Sequence, residues 1–365
     1  MTERILTLRA LNRTFLARQL LIERQAMPIE EAVERLLGLQ SQIPNPPYIG
    51  LWTRLHNFKR DDLTQLMESR QIVRAAMMRS TLHLVSAGDH HRFRPVIQPA
   101  IERALRSFFG KRGRSLDIEK LVAAARPFLL EDYRTTGDLR ACLLEVEPDA
   151  DADAMAYLIR TYLPLVQVPP GGTWGAGSMA AYAIAEDWLG EFNQTADLRT
   201  LFFRYLEACG PASIMDFQTW TGMTKLKDEI EALRPELITY QTEDGKELFD
   251  LPDMTIQPED TPVPVRFIPE YDNLLISHAD RNRIIADADR KKVFLSAARV
   301  LNTFLVDGFV AGTWKITSKK NTITLTISPF KPIESTIQDA LIEEGERLCR
   351  FVDETAGQID IQFEV

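Results

Sequence analysis

Cysteine is scarce in this chain. Cys142, Cys209 and Cys349 are odd in number, far apart and in no metal-ligand spacing. That excludes a disulfide framework and a cysteine-based zinc module, and a reduced, cytoplasmic location is the default expectation. Long apolar runs are missing too; none approaches the roughly 20 residues that span a bilayer. The opening Met1-Thr2-Glu3-Arg4 lacks the charged, apolar and small-residue succession of a secretion leader. Gly171-Gly172-Thr173-Trp174-Gly175 has neither the lysine nor the following helix of a phosphate loop and reads as a turn. His90-His91 has no third ligand at a useful spacing. No Ser-His-Asp or Cys-His pattern stands out, and neither metal nor cofactor is expected.

What remains is a soluble composition, 45% hydrophobic and 26% charged over 365 residues, long enough for two to four domains. The net charge of −9 argues against a polyanionic partner, but its distribution argues back. Between Arg70 and Arg114 there are ten cations (Arg70, Arg74, Arg79, Arg92, Arg94, Arg103, Arg106, Lys111, Arg112, Arg114) and two acids (Asp89, Glu102). A local +8 thus sits on a remainder of −17. Phosphate contact suits such a stretch; a solvated helix face suits it equally.

The chain reads as helical clusters, each followed by a pair of short strands. Apolar residues recur at helical spacing from Thr7 to Glu23, and Pro28 with Glu30 and Glu31 starts a helix running to about Leu39. Helices are expected over Tyr48–Leu55 and Asp61–Ser69, then strands over Ile72–Met78 and Thr81–Val85 joined at Arg79-Ser80. Helices followed by a hairpin form the winged-helix pattern, a relative of the helix-turn-helix. The order recurs with helices at Asp117–Leu130, Thr136–Glu145 and Ala152–Leu163, and strands at Leu165–Val168 and Trp174–Tyr182. It recurs again with helices at Asp197–Cys209, Ile214–Thr219 and Lys225–Leu233, and strands flanking Glu243-Asp244-Gly245, whose Asp-Gly is a hairpin signal. In that third copy acids interleave with Lys225, Lys227 and Arg234, which suits an architectural role better than entry into a groove. Beyond the proline-spaced linker Pro252–Pro264, strand-like segments at Val265–Ile268, Gly308–Thr317, Thr322–Ser328 and Ile359–Phe363 with a helix at Glu334–Phe351 suggest a small β-barrel. The expected fold is α+β, mainly helical: winged helices over 1–114, 115–192 and 193–261, then a barrel over 262–365.

Gln40-Ser41-Gln42 is expected to close the helix that begins at Pro28 and to open the loop Ile43–Pro47. A carboxamide offers a donor and an acceptor without charge, so it can orient a water or grip a base edge. Capping the helix end is the plainer use of both glutamines, and spacing alone leaves the two open.

Several stretches together resemble one family. They are Leu36–Gln42, Gly50–Leu55, Met78–Val85, Pro269–Leu275, Asp280-Arg281, and Leu305–Gly308 with Gly312-Thr313-Trp314. In these the chain is similar, over nearly its whole length, to the winged-helix DNA-binding-domain family that includes the AlkZ- and YcaQ-type DNA glycosylases. The resemblance implies three tandem winged helices and a β-barrel in a C shape around DNA. It also implies excision of alkylated bases, crosslinked ones included, by a Gln-hydrophobic-Gln or Gln-hydrophobic-Asp motif. Gln40 and Gln42 match the two glutamines, while Ser41 departs from the apolar middle residue, a change expected to loosen the anchoring of the loop.

On this reading Gln42 aligns the attacking water, and Gln40 supports the sugar or orients Gln42. Arg74, Arg79, Thr81, His83, Arg92, Arg94 and Arg112 are the candidate DNA contacts. His83 as a structural hydrogen-bond partner and Arg92 with Arg94 as a solvated helix start are the competing readings. Asp272 and Asp280-Arg281 are expected to form a buried ion pair. The expected partner is damaged double-stranded DNA, bound by a monomer. A non-catalytic DNA-binding regulator on the same scaffold is the alternative from another class, and a protein-interaction scaffold that binds no DNA is a third.

Overall fold

A computed structural model describes residues 4–177, 179–190 and 195–364. The opening Met1-Thr2-Glu3, Ser178 of the expected strand Trp174–Tyr182, and the expected boundary at 192/193 lie outside the described residues. The fold is α+β, with three sheets among sixteen α-helices in the described residues. No described helix is long and apolar enough to cross a membrane.

Most expected elements form where sequence chemistry places them. Asp117, Thr135, Asp151, Asp197 and Ser213 each cap a helix by accepting a backbone N–H three residues on. The third hairpin pairs Ile238–Thr242 with Glu247–Asp250 around Gly245, and Arg4–Leu6 adds to it in parallel. The third-copy helix is only Lys227–Glu231. Its neighbour Arg234 is bound by Glu231 and Glu247.

Three findings depart from expectation. The hairpins of the first two clusters fuse into one six-stranded sheet, in the order 39–40, 82–86, 72–76, 165–168, 181–184, 134–135. The second strand of its second hairpin is Ala181–Ile184 alone and not a strand from Trp174. The carboxy-terminal strands form an open five-stranded sheet, 266–268, 303–306, 309–319, 322–329, 358–363, and not a closed barrel. Its two edge strands do not pair with each other among the described residues. The amphipathic helix Ser335–Val352 covers the face instead, burying Leu341, Leu348 and Cys349 against Phe267, Phe304 and Leu325.

Long-range ion pairs tie the start of the chain to its end. Arg18 meets Asp250, Arg24 meets Glu344 and Arg54 meets Asp272, all with buried side chains. Arg13, also buried, reaches the half-exposed Asp307. Asp272 therefore pairs with Arg54, while Asp280 binds Lys246 and Arg281 lies over the Phe294 ring. The expected pairing within the 272–281 segment does not occur.

Candidate active site

The helix expected to run to Leu39 stops at Arg35. Leu37 (φ 55°) and Gly38 (φ 85°) then turn the chain. A Cβ on Gly38 would lie 2.7 Å from Val85 Cγ1, so only glycine lets the turn press against the strand Leu82–Ser86. Leu39 and Gln40 pair antiparallel with Leu84 and His83, and Ser41 N–H donates to Leu82 O at 2.7 Å. Gln40-Ser41-Gln42 is thus the end of a sheet's edge strand and not a helix exit. Two residues are too few to show a strand period, and the partner edge lies some forty residues downstream.

Ser41 is fully buried. The Arg74 guanidinium donates to Ser41 O through Nε at 2.9 Å and Nη2 at 2.6 Å, to Ser41 Oγ at 3.1 Å, and to Gln42 O at 3.2 Å. A fourth partner is Gln167 Oε1. The polar middle residue therefore holds the loop where loosening was expected, because a hydroxyl adds an acceptor for a buried arginine. Burial lowers the Arg74 pKa to about 10.

The two glutamines face different surroundings. Gln42 is exposed, and its carboxamide has no partner within the described residues. Gln40 is buried at 9% exposure beside a narrow crevice that Glu270 and Tyr271 also line. Its Oε1 accepts a hydrogen bond from Arg79 Nη2 at 2.8 Å. Arg79 and Ser80 form the tip of the hairpin 72–86 with φ of 56° and 58°. Successive left-handed residues make the turn whose twist matches a hairpin. Arg79 Nη1 donates to Trp220 O at the end of the helix Ile214–Thr221. Ser80 Oγ lies 2.8 Å from Tyr157 OH.

His83 is fully buried. Its Nδ1 lies 2.9 Å from Thr81 O, and its Nε2 lies 3.5 Å from Arg79 Nη2. Burial, with the Arg79 charge, lowers its pKa to about 3. The imidazole is neutral and inside the protein, with both ring nitrogens facing protein groups, as for a structural hydrogen-bond partner.

Arg74 and Arg94 are buried as well, with their guanidinium groups bonded to protein acceptors. Arg94 is spent on Gln98 and Thr161 O. Thr81 is half-buried and bonded to Met78 O, and Arg92 lies 3.9 Å from Asp89. Arg112 is exposed beside Asp151. Among the candidates, Gln40, Arg79 and His83 come together, and Arg74 reaches Gln42 and the Ser41 between the glutamines; Arg94 and Arg112 bond elsewhere.

The support behind the loop has no local signal in the sequence. Asn273 Nδ2 donates to Leu36 O at 2.9 Å and Gly38 O at 2.7 Å, across the turn that delivers Gln40. Arg54 holds Asp272 through two hydrogen bonds of 2.8 and 2.7 Å. Only the resemblance at Pro269–Leu275 marks that stretch. A separate cavity of about 770 Å³ near Leu11, Leu248 and Phe309 touches none of the candidate residues.

The DNA glycosylase AlkZ-like family model matches residues 33–351. The chain belongs to this family. Among solved structures it is similar to the Streptomyces sahachiroi DNA glycosylase AlkZ, with 17% identity and a TM-score of 0.82 over 99% of this chain and 100% of that one. That likeness carries the fold. No curated protein matches the chain. The AlkZ-like match takes in the tripeptide, the hairpin tip and the Asp272-Asn273 support. AlkZ-like membership makes base excision from DNA, in repair, the reaction class the chain is fitted for.

Proposed function

We propose that the protein is a monofunctional DNA glycosylase that removes cationic alkylated purines, crosslinked ones included, with Gln40 and Gln42 carrying the reaction. The observation that supports this best is the presentation of the pair. Arg74 fixes the backbone between the glutamines, one carboxamide is held at the sheet edge, and the other is free in solvent.

An N7- or N3-alkylated purine already bears a positive charge. When the C1′–N bond breaks, its electron pair returns to the base and neutralises that charge, so no strong general acid is needed. The sugar passes through an oxocarbenium-like state, as in other glycoside cleavages. Water forms the new C1′–O bond and loses its proton to solvent, with its approach aligned by Gln42. Gln40 supports the sugar side. Carboxamides are poor bases, so unmodified purines are expected to stay intact.

On this reading, winged-helix segments 1–114, 115–192 and 193–261 and the segment 262–365 surround damaged duplex DNA bound by one copy of the chain. The test is to incubate the protein with duplex containing N7-methylguanine and count abasic sites. Release by wild type that is abolished in the Gln40→Ala, Gln42→Ala double variant is expected. Equal release by both would remove the pair from the mechanism, and salt-dependent binding without release would favour a non-catalytic DNA-binding protein.

A further inference from the structure

We propose that Arg79 is the positioning residue of this site: it holds Gln40 by the carboxamide oxygen, so that Gln40 meets DNA as a hydrogen-bond donor. The proposal rests on the role given above to Gln40 and Gln42, and divides the work between them.

Donor chemistry fixes which way the amide faces. A guanidinium has five N–H donors and no acceptor. The Gln40 atom 2.8 Å from Arg79 Nη2 is therefore the oxygen, and the amide cannot be turned over without opposing two donors. Gln40 Nε2 donates to nothing within the described residues. Its two N–H groups are what remains for an oxygen of the DNA: a phosphate beside the reacting sugar, or the carbonyl of an alkylated guanine. Gln42, with no partner among the described residues, is left as the acceptor that aligns water.

Arg79 itself is aimed by neutral groups. Among the described residues no carboxylate pairs with it. Its acceptors are Gln40 Oε1, the Trp220 carbonyl at a helix carboxyl end, and His83 Nε2. A helix carboxyl end favours a cation. On the histidine, Nδ1–H donates to Thr81 O, which leaves the Nε2 lone pair facing the guanidinium. Together these partners engage both Nη atoms and hold the fork against Gln40.

The backbone at the tip points the same way. Arg79 and Ser80 occupy the left-handed region that favours Asn and Gly, a strained conformation for other side chains. Gly222 (φ 81°) makes room for the tip, since a Cβ there would lie 3.0 Å from Arg79 Cα. A large side chain kept at a strained tip that a neighbouring glycine accommodates is placed for its head group and not for its backbone.

The test measures single-turnover excision of N7-methylguanine and duplex affinity for wild type, Arg79→Met, Arg79→Asn, Gln40→Ala and the double variants. Asn tolerates the left-handed tip, so Arg79→Asn keeps the fold if Arg79→Met does not. Each Arg79 variant is expected to slow the rate roughly 100-fold, as for a misplaced reacting group, with affinity unchanged. Adding either to Gln40→Ala should slow it no further. Multiplying effects, or weaker binding with a shallower salt dependence, would overturn the proposal and make Arg79 a phosphate ligand. If wild type releases no base, the glycosylase reading fails by itself and anchoring is read by NMR. The Gln40 side-chain amide pair, assigned by its absence in Gln40→Ala, should shift in Arg79→Asn; unmoved signals overturn the anchoring.

Discussion

His83 shows how burial reassigns a residue that a strand pattern offers to a ligand. His83, His90 and His278 are all sunk into the protein, and burial lowers each pKa to about 3. In the unfolded chain these imidazoles take up protons near pH 6.5; in the folded chain they do not until about pH 3. The unfolded state therefore binds more protons across that window, and stability falls as pH drops through it. The slope is up to about 1.4 kcal/mol per pH unit for each histidine. Asp89 and Asp250, pushed up by burial, act in the opposite sense at the acid end. Urea midpoints should decline from about pH 7 to about pH 5, and less steeply in His90→Leu, whose parent ring nitrogens have no hydrogen-bond partner. Parallel declines in both proteins would show that His90 does not contribute.

At the scale of elements, the turn Leu37-Gly38 is held from behind by one side chain. Asn273→Ala would free the carbonyls of Leu36 and Gly38, at a cost of roughly 1–3 kcal/mol for each buried group left unpaired. Urea unfolding should show that cost, and single-turnover excision should slow because Gln40 is delivered by the same turn. Lower stability with the rate intact would uncouple the clamp from the site. Helices, caps and hairpins are legible in the sequence because their signals lie within a few residues: apolar periods, Asp and Ser caps, Asp-Gly turns. The two-residue strand at Leu39–Gln40 is not, since pairing with another strand creates it. The Asn273 clamp and the Arg54–Asp272 pair escape for the related reason that their partners lie more than two hundred residues away. The carboxy-terminal strands suggest a barrel where the sheet is open, because strand count does not reveal which face a helix will cover.

Across the whole molecule, folding sorts the basic stretch. Arg74 and Arg94 go inside, and Arg106 and Arg112 meet Glu102 and Asp151. Arg103, Lys111 and Arg114, on the helix Gln98–Arg114 that kinks at Gly110 (φ 51°), stay exposed without a carboxylate partner among the described residues. If that helix tracks a DNA backbone, changing all three to alanine should weaken duplex binding. The slope of log affinity against log salt should then become shallower by about 0.9 for each phosphate that is no longer neutralised. An unchanged slope would place the phosphate-binding cations elsewhere.

The ion pairs between the ends of the chain bear on its birth. Arg13, Arg18, Arg24 and Arg54 leave the ribosome early, and the carboxylates that meet them are Asp307, Asp250, Glu344 and Asp272. Arg18 waits 232 residues for Asp250, on the order of ten to fifty seconds at roughly 5–20 residues per second. Burying a guanidinium before its carboxylate arrives would cost several kcal/mol, so these four arginines are expected to stay in water until their partners are made. A chain that stops short of Asp250 lacks all four of these carboxylates.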